Sequence, residues 1–107
     1  MKLTWTRVAL HDLRHLQEYI AEDNPSAASS MVNRIQEATQ RLKKHPQMGR
    51  PGRVQGTREF VIAGSPYIVV YILTDTEIQI VAVIHSAMRW PDTFSPEDIC
   101  NTMTNSR

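Results

Sequence analysis

A single cysteine, Cys100, in 107 residues leaves no partner for an internal disulfide and no basis for a cysteine metal cluster. That usage fits a reducing cytoplasm, the expected location. No apolar run approaches the roughly 20 residues that a membrane-spanning helix needs. The opening Met1-Lys2-Leu3-Thr4-Trp5 lacks the apolar stretch of a secretory signal. Repeats and low-complexity tracts are absent as well. Net charge is only +1, so any electrostatic preference must come from local distribution. Acids are missing where bases gather: Arg41, Lys43, Lys44, Arg50, Arg53 and Arg58 follow one another with no Asp or Glu among them. Such a run attracts phosphates or an acidic partner, although a solvated loop that aids solubility has the same composition.

What is present suits one small soluble domain. Hydrophobic residues make up 41% of the chain, enough for a single core at this length. Residues 3–6 read as a short strand. Leu10, Leu13, Leu16 and Ile20 then recur at helical spacing. Asn24-Pro25 ends that pattern and starts a second helix, with Asn24 as N-cap and Pro25 in the first turn. Its apolar stripe is Ala28, Met31, Ile35, Ala38 and Leu42. The short link predicts an antiparallel helical hairpin. Lys43, Lys44 and His45 complement the helix dipole, and Pro46 stops the helix.

Gly49, Pro51, Gly52 and Gly56 crowd the next segment, so residues 45–57 read as a loop without regular structure. Residues 58–63, 67–73 and 77–85 follow as strand candidates, joined by Gly64-Ser65-Pro66 and Thr74-Asp75-Thr76. The expected fold is α+β, β-α-α-β-β-β, a helical hairpin on one face of a small antiparallel sheet whose other face is partly open. Residues 1–94 are expected to form the domain, and 95–107 a polar, flexible tail.

Three stretches carry a family resemblance. They are the first helix with Ala9, Asp12-Leu13, Leu16 and Tyr19-Ile20; the loop from His45-Pro46-Gln47-Met48-Gly49 to Arg58-Glu59; and the strands Tyr67-Ile68-Val69-Val70-Tyr71 and Val83-Ile84-His85-Ser86-Ala87-Met88-Arg89. In order and spacing they resemble the RelE/ParE superfamily of toxins from type II toxin–antitoxin systems, closer to ParE. The resemblance implies growth arrest, neutralisation by a cognate antitoxin, and contact with operator DNA only through that antitoxin. It leaves two targets open: DNA gyrase, as for ParE-like toxins, or messenger RNA on the ribosome, as for RelE-like endoribonucleases. It implies no cofactor, no metal and no membrane.

Metal-free RNA cleavage needs phosphorane charge stabilised and protons moved. Arginine suits the first task and histidine the second. By resemblance, Arg58, His85 and Arg89 are the catalytic candidates if the chain is a nuclease. Arg50, Arg53, Lys43 and Lys44 are then the RNA- or target-binding candidates, and no antitoxin-binding residue is singled out. The chain departs from RelE-like nucleases in having no lysine after Lys44, no tyrosine after Tyr71 and no acid in the loop between Arg41 and Arg58. Ordinary roles compete at every position. His85 closes an apolar strand, Arg58 beside Glu59 equally suits decoration of a sheet edge, the Gly-Arg-Pro-Gly-Arg loop suits a plain turn, and Tyr67 and Tyr71 suit packing.

Overall fold

The computed structural model describes residues 1–86. Strand β1 (Lys2–Trp5) leads into helix α1 (Arg7–Ala21) and helix α2 (Pro25–Lys44). Strands β2 (Arg50–Pro51), β3 (Arg58–Val61), β4 (Tyr67–Leu73) and β5 (Glu77–His85) follow. Both helices start on side-chain caps. The Thr6 hydroxyl accepts from the amide of Ala9, and the Asn24 carbonyl oxygen accepts from that of Ala27. Pro25 fills the first turn of α2, where no partner for its missing N–H is needed.

The strand order is β1-β5-β4-β3-β2. Two features correct the sequence reading. First, the sheet is mixed rather than antiparallel, because β1 pairs with β5 in parallel, from Lys2 beside Glu77 to Trp5 beside Ile80. The long connection that parallel neighbours require is the helical hairpin together with β2, β3 and β4. Second, the glycine-rich loop holds a strand, since Arg50 and Pro51 pair with Glu59 and Arg58. Proline can stand there because β2 is an edge strand.

Most of the core lies between the hairpin and one sheet face. Ile35, Ala38 and Leu42 of α2 pack with Ala9, Leu13 and Leu16 of α1, and with Val69, Tyr71, Ile78 and Ile80 of the sheet. The first-helix stripe runs through Ala9 rather than Leu10, whose side chain is half exposed. The second sheet face is not bare either, since Ile68 and Val70 alternate away from the helix side yet are buried.

Strand β5 carries a bulge. Val70 pairs with Ala82 and Tyr71 with Ile80, so Val81 is an extra residue. Ile78 and Ile80 belong to the core before it, and Val83 after it. The bulge thus moves the helix-facing set from even to odd residues, which places His85 on the helix side.

Candidate functional site

The loop between α2 and β3 is fixed by three side chains from the sheet. Tyr71 is fully buried, and its hydroxyl donates to the Pro46 carbonyl (2.7 Å) and accepts from the Gly49 amide (3.0 Å). A Cβ at Gly49 would lie 2.5 Å from that hydroxyl, so only glycine permits the approach. Arg58 stands beside Tyr71 in the sheet. Its Nε donates to the Gly49 carbonyl at 3.0 Å, and its Nη2 to those of Gln47 (3.0 Å) and Gly49 (2.7 Å). Glu59 is buried, and Oε2 accepts from the Arg53 amide at 3.1 Å while Oε1 lies 3.4 Å from Nη2 of Arg50. Thr57 closes the turn, its hydroxyl donating to the Val54 carbonyl.

The basic run is therefore not one surface. Arg58 turns into the loop. Arg41 lies over the Phe60 ring at 6.0 Å. Lys43 and Lys44 are exposed in the last turn of α2, where they offset its dipole. Arg50 and Arg53 are exposed around Glu59.

A second cluster sits where β4 and β5 meet α1. The His85 ring meets that of Tyr67 edge-on, centroids 5.3 Å apart. Asp12 of α1 accepts from the Val83 amide just past the bulge. His11 and His15, one helical turn apart, stack at 6.2 Å. These residues and Tyr19 line an open cavity of about 600 Å³. Burial, reinforced by neighbouring Tyr19, raises the Tyr67 hydroxyl above its ordinary pKa of 10.0. Among the described residues no group of three or more His, Cys, Asp or Glu is placed to hold a metal ion.

The register sets the distance between the candidate groups. Arg58 pairs with Tyr71 and His85 with Tyr67, four residues apart on β4. That is roughly 13 Å along the strand, with β4 itself between the two residues. Arg89, the third candidate, lies outside the described residues, as does the segment 95–107.

The fold has counterparts in known proteins. The family model described as "ParE toxin of type II toxin-antitoxin system, parDE" matches residues 3–90, most of the chain. The chain belongs to the ParE toxin family. It is accordingly the toxin of a type II toxin–antitoxin module, whose pairing implies an antitoxin partner. One relative, "Putative toxin Y4kP" of Sinorhizobium fredii, is 40% identical over 90 residues, covering 84% of this chain and 93% of its own. "Toxin RelE2" of Caulobacter vibrioides is 34% identical over 86 residues, covering 80% and 96%. The solved structure titled "Chromosomal ParDE TA system from P. aeruginosa" superposes with a TM-score of 0.71 at 30% identity, covering 79% of this chain and 95% of that one.

For this ParE-family chain, sequence reasoning missed the groups that organise the loop. Tyr71 reads as packing because its hydroxyl's partners lie 22 and 25 residues away. Glu59 reads as a strand residue, and only its adjacency to Arg58 hinted that charge was being handled there. Asp12 stood in the quoted motif, but nothing local shows that it reaches a strand 71 residues on. Among the described residues no helix is long and apolar enough to cross a membrane.

Proposed function

We propose that this ParE-family toxin acts in the cytoplasm, arrests growth by binding DNA gyrase, and is neutralised by its cognate antitoxin, through which alone it recognises operator DNA. The supporting observation is the engagement of Arg58. A nuclease of this design needs a guanidinium and an acid–base group converging on one phosphate. Here Arg58 donates to the Gln47 and Gly49 carbonyls, and His85 stands roughly 13 Å further along β4. Arg58 is thus spent on loop structure, and His85 on its contact with Tyr67. A protein–protein inhibitor requires neither residue to move. The competing reading, cleavage of messenger RNA on the ribosome, draws support from the name of the Caulobacter relative.

The deciding experiment runs purified toxin in two assays, gyrase supercoiling with trapping of gyrase–DNA complexes, and mapping of cuts in ribosome-bound messenger RNA. Gyrase inhibition with intact RNA is the expected result. Codon-phased cuts with unaffected gyrase would overturn it. Arg58→Ala sharpens the comparison. Loss of a transition-state donor lowers cleavage about 10²–10³-fold. On the gyrase reading the same variant loses inhibition only as far as it loses folded protein.

A further inference from the structure

Glu59 is the one buried charged residue among the described residues. A buried carboxylate is costly, and a well-packed apolar residue often serves stability as well or better. What Glu59 does instead is hold the Arg50 guanidinium and the backbone amide of Arg53. One oxygen accepts from the Arg53 amide and the other faces the Arg50 guanidinium, with which Glu59 is directly paired across β2 and β3. Arg50 keeps a side chain 59% exposed, so most of its five N–H donors remain in solvent. Arg53 is exposed, and no hydrogen bond or ion pair among the described residues uses its side chain. Strand alternation puts Glu59, and Arg50 beside it, on the sheet face away from the helices.

The loop bearing these arginines is held by the Tyr71, Arg58 and Thr57 bonds as well. Such fixation suits presentation of charge in a set geometry. The loop's own residues suit a polyanion: between Gly49 and Phe60 no large apolar side chain is exposed, and the exposed Met48 and Val61 stand at its two ends. No acid lies between Arg41 and Arg58 to repel phosphates.

We propose that Arg50 and Arg53 form a nucleic-acid phosphate-binding site, with Glu59 as the residue that positions them. The site takes two neighbouring phosphodiesters of a backbone, read as charge and spacing rather than as sequence. The proposal goes beyond the gyrase reading and does not rest on it, since DNA held by gyrase and RNA on the ribosome present the same group.

The test is fluorescence anisotropy of the purified full chain with a labelled DNA duplex and a labelled single-stranded RNA, across a potassium chloride series and with no gyrase present. Wild type is expected to bind with strong salt dependence, and the tighter of the two probes names the source. Arg50→Ala/Arg53→Ala, both exposed, should leave the circular dichroism unchanged. It should make the logarithmic salt slope shallower by about 1.8 on duplex or about 1.4 on single strand. On duplex, the loss of affinity between about 50 and 200 mM salt then becomes about twelvefold smaller. Lys43→Ala/Lys44→Ala removes the same charge from outside the site and should change the slope clearly less. Glu59→Gln gives an opposing sign. By charge alone it tightens binding, whereas loss of positioning weakens it severalfold, the expected result. No binding by wild type, equal slopes for the two double variants, or tighter binding by Glu59→Gln would each overturn the proposal. So would a double Arg variant that loses growth arrest but keeps its salt slope, which would assign the arginines to a protein contact.

Discussion

Tyr71 shows how one side chain can serve two layers of the structure. Its ring is part of the core, and its hydroxyl holds the Pro46 carbonyl and the Gly49 amide at the loop. Tyr71→Phe keeps the ring and leaves both backbone groups unpaired. A loss of about 1–3 kcal/mol is expected in denaturant unfolding. Faster exchange of the Gly49 amide should accompany it, while the helices stay protected. Tyr67 makes a pH-dependent counterpart. Burial and Tyr19 raise its pKa, so the unfolded chain gives up this proton first as pH rises. The stabilisation is complete below the ordinary value of 10.0 and is lost as pH climbs through the raised one. The unfolding midpoint should therefore fall as pH rises past 10.0, and fall less in Tyr67→Phe. Glu77 has the opposite sign. Hydrogen bonds from Gln79 and Thr4, with Lys2 nearby, hold its carboxyl below the ordinary 4.5. Thr4→Ala should move that titration upward, measurable by the side-chain carboxyl resonance.

Elements whose signal is local were legible in the sequence. Asn24-Pro25 announces its own helix start, because the cap and the first turn are adjacent residues. Asn24→Ala should cost about 1 kcal/mol, read in thermal or denaturant unfolding. The meander was equally readable: the apolar runs at 67–73 and 77–85 are β4 and β5 to the residue. Leu10 misled because a spacing of three from Leu13 fits the stripe as well as Ala9's spacing of four, and small Ala9 carries less hydrophobic signal. Three features left no mark in any window of sequence. The β1–β5 pairing joins chain segments 75 residues apart. The two-residue β2 hides in turn composition. The bulge at Val81 is invisible because residues 80–84 around it are all apolar. Deleting Val81 should remove the bulge yet keep Val83 opposite Val69 and His85 opposite Tyr67, because Val81 is the one residue of β5 left without a partner there. Cooperative unfolding with the Tyr67–His85 ring contact retained in NMR is the expected result. The candidate site was legible to the same extent. Its arginines could be named from the sequence, but which of them face solvent depends on Gly49, Glu59 and Tyr71, brought together only by the sheet.

At the scale of the whole molecule, the parallel pairing of β1 closes one edge of the sheet. Trp5 packs against the core, the Thr6 amide donates to Ile80, and the Thr4 hydroxyl donates to Glu77. Removing residues 1–5 would expose residues 77–80 of β5 as a new edge that includes apolar Ile78 and Ile80. Self-association in analytical ultracentrifugation is the expected outcome, because unpaired apolar edges template further pairing.

The same strand also sets a clock on synthesis. The first residues to leave the ribosome need β5 as their neighbour, and β5 is not made until about 80 residues later. At roughly 5–20 residues per second, β1 waits several seconds for its place in the sheet. Until then a nascent chain can hold the helical hairpin, whose contacts are local, but not the completed fold. A cell making this toxin therefore has a few seconds per molecule in which the product exists as polypeptide but not yet as poison.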